Sequence, residues 1–370
     1  MKAIAFYLPQ FHEIPENNEW WGKGYTEWTA VKGASSHYAG QIQPNEPLHD
    51  NYYNLLDKKV MEWQSEISLK AGLSGFCFYH YWFKGKLLLE KPVENYLKWT
   101  DIKQNYCISW ANDSWIRTWD TMKVSGNVWK EEEDTNKCKG NDIYLIKQNY
   151  GNTKDWEAHF NYLLPFFKDD RYIRVNNRPV FIIYKPKLIL KLDAMLQFWN
   201  KLACKSGLEG LYIIATNENE NCGKNVSAYM MYEPSYTLKF DDSLINRIRK
   251  KIFCITGNKK LLPKVYQYDW HWNRILKRRI SGKNKMYRGA FVNYDEAPRR
   301  GKKGIVYRGA SPKKFYKYLY ALNKQVEKDD FVFITAWNEW GEGAYLEPDK
   351  HFGFGYLKAI QKVLAEDRSM

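Results

Sequence analysis

The chain has 370 residues, 44% hydrophobic and 27% charged, a composition that excludes a disordered or collagen-like protein. Its apolar runs, such as 179–184 and 331–336, fall far short of the roughly 18 residues of a membrane-spanning helix. The net charge of +15 is concentrated: residues 247–288 hold fourteen Lys or Arg against one acid, Asp269, a local excess of +13.

The first ten residues carry one Lys, a short apolar stretch and no small-residue cleavage site. They are expected to form a buried strand, not a secretory leader, in a cytoplasmic chain. Apolar runs rich in Ile, Val, Phe and Tyr recur at 3–8, 75–79, 106–110, 179–184, 211–216, 227–231, 289–293 and 331–337. Most are continuous rather than alternating, as in strands buried on both faces. Helical patterns lie between them. In 53–71, Leu56, Val60, Trp63 and Ile67 share a face and Gly72 stops the helix. Others cover 154–168 and 193–206, the stretch from Ser311-Pro312 to about 326, and 356–365.

Eight strands alternating with helices predict an α/β (β/α)₈ TIM-type barrel, with residues 1–370 as one domain and a doubly wound open sheet as the rival architecture. The polar stretch 130–140 is expected to be a surface loop. The region at about 244–288 is expected to be a basic helical insertion with two amphipathic patches. One sets Leu244, Ile248 and Ile252 against Arg247, Arg249, Lys250 and Lys251; the other sets Trp272, Ile275, Leu276 and Ile280 against Arg274, Lys277, Arg278 and Arg279.

Six cysteines contain no Cys-x-x-Cys pair and seven histidines no His-x-x-x-His pair, so reduced thiols and no metal site are expected. No Gly-x-Gly-x-x-Gly or Walker-type sequence follows a strand, and no Asp-x-Asp occurs. No cofactor is expected. Sixteen Trp and 28 Tyr exceed what a core needs and suit stacking on sugar rings or nucleobases.

The chemistry is expected at the last strand. Residues 331–336 run directly into Trp337-Asn-Glu-Trp-Gly-Glu-Gly-Ala-Tyr345. Catalytic groups of barrels sit at the C-terminal strand ends. In a continuing strand, Glu339 and Glu342 would face opposite ways. They converge only if the chain turns between them, and Gly341 and Gly343 permit that turn. Two carboxylates on one rim, among Trp337, Trp340 and Tyr345, are equipment for glycosidic bond chemistry.

This segment, through Asp349, resembles the signature of the WbsX-type family, which is similar to glycoside hydrolase family 99. The stretches Ala5-Phe-Tyr-Leu-Pro-Gln-Phe-His12, Trp21-Gly-Lys-Gly-Tyr-Thr-Glu-Trp28, Gly75-Phe-Cys-Phe-Tyr-His-Tyr-Trp82 and Ser109-Trp-Ala-Asn-Asp-Ser-Trp115 also resemble family motifs. The resemblance implies a barrel acting on α-linked sugars in an endo-α-mannosidase-like manner, in surface polysaccharide or O-antigen metabolism. It implies retention through a 1,2-anhydro sugar. Glu339 would assist the sugar's 2-hydroxyl, and Glu342 would be general acid and then base. Family 99 enzymes carry His where this chain has Gly341.

Further pocket candidates follow other strands: Tyr7, Gln10 and His12; His80, Tyr81 and Trp82; Trp110, Asn112, Asp113, Trp115 and Arg117; and Trp337, Asn338 and Trp340. Glu233, Asp269 and Asp295 read as rim or capping acids. The expected partner is an oligosaccharide or lipid-linked glycan. The basic segment suits an anionic membrane surface, which would place the chain peripherally at the inner membrane. The alternative is a glycosyltransferase of polysaccharide biosynthesis; the more distant one is a nucleic-acid binder, for which no motif is present.

Overall fold

The computed structural model describes residues 1–118, 142–218, 222–256, 264–280 and 282–368. The expected loop at 130–140 lies outside these residues. Eight parallel strands form the central barrel: β1 Lys2–Tyr7, β2 Gly75–Phe83, β3 Tyr106–Trp110, β4 Arg178–Ile183, β5 Tyr212–Thr216, β6 Ala228–Met230, β7 Met286–Phe291 and β8 Phe331–Thr335. Each pairs with the next, and β1 pairs with both β2 and β8, closing the sheet. The fold is the expected (β/α)₈ barrel. Its strands are mainly apolar because an inner core and an outer helix layer bury both faces.

The helices are α1 Pro15–Trp21, α2 Glu27–Lys32, α3 Lys58–Lys70, α4 Lys91–Lys98, α5 Thr153–Lys168, α6 Leu192–Lys205, α7 Ser235–Phe240, α8 Leu244–Thr256, α9 Tyr268–Lys277, α10 Ala297–Arg300, α11 Pro312–Asn323 and α12 Gly355–Arg368. The helix expected from residue 53 starts at Lys58, because Asp57 caps it by accepting from the Lys59 amide. Tyr53 instead donates to Glu347 at 2.7 Å. Ser311 caps α11 as expected, with Pro312 in the first turn.

Strand parity decides what reaches the barrel interior. Phe6 of β1 meets Tyr79 of β2, Tyr232 just beyond β6, and Phe333 of β8. β1 and β6 are far apart in the sheet order, so the Phe6–Tyr232 contact can only cross the interior. His80, the neighbour of Tyr79, meets His159 of α5 and so points outward. On β2, odd-numbered residues therefore line the interior and even-numbered ones face the helices.

The basic region divides into two unlike helices. α9 buries Trp272 and Ile275, and the Trp272 ring stacks on Tyr318 of α11 at 5.5 Å. It belongs to the helix layer. α8 instead exposes Leu244, Ile245, Ile248, Ile252 and Ile255.

Candidate active site

The exit of β8 is clamped to the exit of β1. The Trp337 amide donates to the Phe6 carbonyl at 2.7 Å. The Asn338 side chain accepts from the Leu8 amide at 2.7 Å and donates to the Leu8 carbonyl at 3.0 Å. Asn338–Glu339 then pairs antiparallel with Ala344–Tyr345, and Trp340–Glu342 forms the turn between them. Gly343 closes this hairpin at φ 58°, where a Cβ would lie 2.9 Å from Asp295 Cβ. The turn the sequence required is thus present, and it brings both carboxylates to one side.

One guanidinium gathers them. Arg299 of α10 donates from Nη2 to Glu339 at 2.9 Å, from Nη1 to Glu342 at 2.6 Å and from Nε to Glu27 at 2.7 Å. Neighbouring contacts fix α10 and α2 in turn. The Asp295 amide donates to the Glu342 carbonyl at 2.6 Å, and the Asp295 carboxylate accepts from Gln41 and from the Ala297 amide. The Glu27 amide donates to the Gln10 carbonyl, and Trp28 packs on Trp340. A Cβ on Gly341 would lie 1.7 Å from Glu27 Oε1. The place of a side chain at 341 is taken by the Glu27–Arg299 pair.

Three buried carboxylates share this one cation. Burial raises the Glu339 pKa most, Arg299 pulls it back, and repulsion from Glu342 and Glu27 raises it further, to about 8. The carboxylate cluster around Glu339 therefore keeps a proton at neutral pH. Its Oε1 is buried with no hydrogen-bond partner.

Tyrosines surround the pair. The Tyr79 and Tyr232 hydroxyls lie 2.6 Å apart. Burial, followed by neighbouring phenols and carboxylates, pushes the pKa values of Tyr79, Tyr184 and Tyr232 well above the usual range. Tyr81 is raised by burial and then by Glu339. All four stay neutral hydroxyls able to bond a polyol.

Of the residues singled out in the sequence, Glu339, Glu342 and Tyr81 come together here. His80, Trp82 and Trp110 do not: His80 lies 2.9 Å from His159, Trp82 stacks on His159 at 4.6 Å, and Trp110 donates to the Trp82 carbonyl. They belong to the outward face, against α5. Tyr7 also points outward, donating to Gln64 of α3 at 2.5 Å. His12 is buried with Nδ1 on the Pro9 carbonyl. Asn112 is committed to the Lys185 backbone, Asp113 pairs with the Lys185 ammonium at 3.2 Å, and Trp115 packs under Tyr81. Asn338 serves as the clamp and Trp337 packs on Phe76. Trp340 stacks on Tyr345 at 3.8 Å and donates to Glu347 at 2.6 Å.

The rim acids are likewise tied into the fold. For Glu233, burial would raise the pKa, but His271 and Arg278 hold it down at about 2. Asp269 accepts from Lys314 and Tyr318, each at 2.6 Å.

Sequence reasoning did not single out Glu27, Arg299, Tyr79, Tyr184, Tyr232 or Glu347. Glu27, Tyr79 and Glu347 do lie in or beside the motifs quoted above. Nothing local marks Arg299 among its basic neighbours. The usable signal was indirect: carboxylates gathered on a buried rim need a counter-cation.

A family model described as Glycosyltransferase WbsX matches residues 3–360. The uncharacterized protein WxcX of Xanthomonas campestris pv. campestris strain B100 is 31% identical over 373 residues, covering 98% of this chain and 49% of WxcX. WxcX from a second strain matches to the same extent. The chain thus spans about half the length of these curated relatives. Among solved structures, the GH99 endo-α-mannosidase from Bacteroides thetaiotaomicron aligns with a TM-score of 0.56 at 14% identity, over 99% of this chain and 97% of that one. A glycoside hydrolase-like protein aligns with a TM-score of 0.56 at 13% identity, over 98% and 93%. At such identities the likeness is one of fold.

Proposed function

This chain belongs to the WbsX glycosyltransferase family of carbohydrate-active enzymes in polysaccharide metabolism, and from that premise we propose that it breaks α-linked glycosidic bonds with Glu339 and Glu342. The observation that carries the reading is the Arg299 fork holding both carboxyls at the barrel mouth. The substrate is an oligosaccharide or lipid-linked glycan with a free 2-hydroxyl beside the scissile bond, such as an α-mannoside. Residues 1–370 act as one barrel domain, in the cytoplasm at the inner membrane face.

The two carboxyls carry one proton between them. In the reactive arrangement Glu342 holds it and Glu339 is ionised. Glu339 takes the 2-hydroxyl proton while O2 attacks the anomeric carbon. The bond to the leaving oxygen breaks, and that oxygen takes the Glu342 proton. The product is a 1,2-anhydro sugar, with the proton now on Glu339. Glu342 then deprotonates the incoming nucleophile, which opens the ring at the anomeric carbon, and Glu339 returns its proton to O2. Two inversions at one centre give net retention. Arg299 offsets the carboxylate charge in both steps.

With water as nucleophile the outcome is hydrolysis; with a sugar hydroxyl it is transfer. The family description favours transfer as the second reading. Purified wild type and Glu342→Gln given α-linked oligosaccharides, with and without sugar acceptors, test both readings by mass spectrometry. Release or transfer that is lost in the variant supports the role of Glu342. Turnover unchanged in the variant removes Glu342 from the chemistry.

A further inference from the structure

We propose that α8 docks this chain on an anionic lipid surface. Leu244, Ile245, Ile248, Ile252 and Ile255 are 71%, 64%, 48%, 41% and 85% exposed. At the helical advance of about 100° per residue, all five fall within an arc of about 100°. Arg247 and Lys251 flank that arc on one side and Arg249 on the other, and all three are exposed. Residues 243–256 contain no acid.

The helix is mounted with its polar side against the protein. Asn246 donates to Asp242 at 3.0 Å. Lys250 donates to the Leu238 carbonyl at 3.0 Å and pairs with Asp242 at 2.9 Å. A surface helix of a globular protein normally does the reverse and buries its apolar stripe. α9, the next helix, obeys that rule and buries Trp272 and Ile275.

The charge identifies the occupant. An apolar stripe with cations along both edges matches the boundary between anionic headgroups and acyl chains, where Arg and Lys reach the phosphates while Ile and Leu enter the apolar layer. A second copy of this chain is a poorer match, because a two-fold contact would set these cations against one another. The mounting also suits a membrane-linked substrate. α7 starts at the C-terminal end of β6, and Lys250 fastens α8 to the end of α7, at the barrel end that carries the carboxylates.

Flotation of the whole chain with vesicles of phosphatidylcholine, with or without phosphatidylglycerol, tests the proposal without any turnover. Wild type is expected to float with phosphatidylglycerol and at least about tenfold less without it, and salt should release it. The exposed-face variant Ile248→Glu/Ile255→Glu should lose binding at unchanged Tm. Arg247→Ala, Arg249→Ala and Lys251→Ala should each weaken it about fivefold. Glu342→Gln should float as wild type, which separates this proposal from the glycan chemistry. Equal binding to neutral vesicles would overturn the proposal. So would absence of flotation together with a dimer in light scattering that Ile248→Glu/Ile255→Glu disperses.

Discussion

Gly341 and Glu27 occupy complementary space: a single Cβ on Gly341 would come within 1.7 Å of Glu27 Oε1 and 2.8 Å of Arg299 Nε. The glycine between the two catalytic candidates is therefore a packing requirement of the ion cluster as well as a turn residue. Gly341→Ala must displace Glu27 from Arg299. The expected cost is about 1–3 kcal/mol of stability, with a fall in activity because Arg299 loses its third anchor. Urea unfolding and turnover measured on the same preparation check this; a variant equal to wild type in both would show that the cluster has slack.

Removing either member of the pair should separate chemistry from folding. Glu339→Gln and Glu342→Gln keep size and shape, and each should lower kcat by roughly 10²–10⁴-fold. Circular dichroism and Tm should show both variants folded. With an activated fluoride donor, whose leaving group needs no proton, Glu342→Gln should recover more activity than Glu339→Gln.

The pH dependence follows from the shared proton. Glu339 is held at about 8 by burial and by its carboxylate neighbours. Raising pH through that value strips the proton from the pair, so kcat/KM should fall on the alkaline side near pH 8. Stability moves the same way. The folded-state pKa of Glu339 lies above the unfolded one, so its favourable contribution is complete below about 4.5 and is lost as pH rises toward 8. Thermal scans from pH 6 to 9 should show a smaller decline for Glu339→Gln than for wild type.

Arg299 bonds to all three carboxylates. Arg299→Met leaves them facing one another, a loss on the order of 3 kcal/mol, at the lower end for a buried pair because the side chain keeps 17% of its surface exposed. Adding Glu27→Gln and Glu339→Gln should restore much of that stability without restoring activity. Denaturation midpoints of the single and combined variants decide the point.

On the outward side of β2, His80 and His159 form a buried neutral pair, and burial holds the His80 pKa down at about 3. The folded-state pKa lies below the unfolded one, so the stabilising contribution is complete above about 6.5 and is lost as pH falls below it. The loss for His80 is about 1.4 kcal/mol per pH unit. His80→Gln should flatten the decline in Tm between pH 7 and 5.

The sequence by itself determined the strand set, because continuous apolar runs bounded by helical patterns have few other uses. It also located the paired glutamates beyond the last strand and required a turn between them. The tertiary structure alone decided which way each strand residue points. A strand buried on both faces has no polar alternation to mark its parity, so Tyr81 and its neighbour His80 look alike in sequence but face opposite layers. It alone chose Arg299, which lies 272 residues from Glu27 and 40 from Glu339. It alone separated α8 from α9. Both are basic and amphipathic, and only the neighbours each packs against determine whether the apolar side is covered or left open.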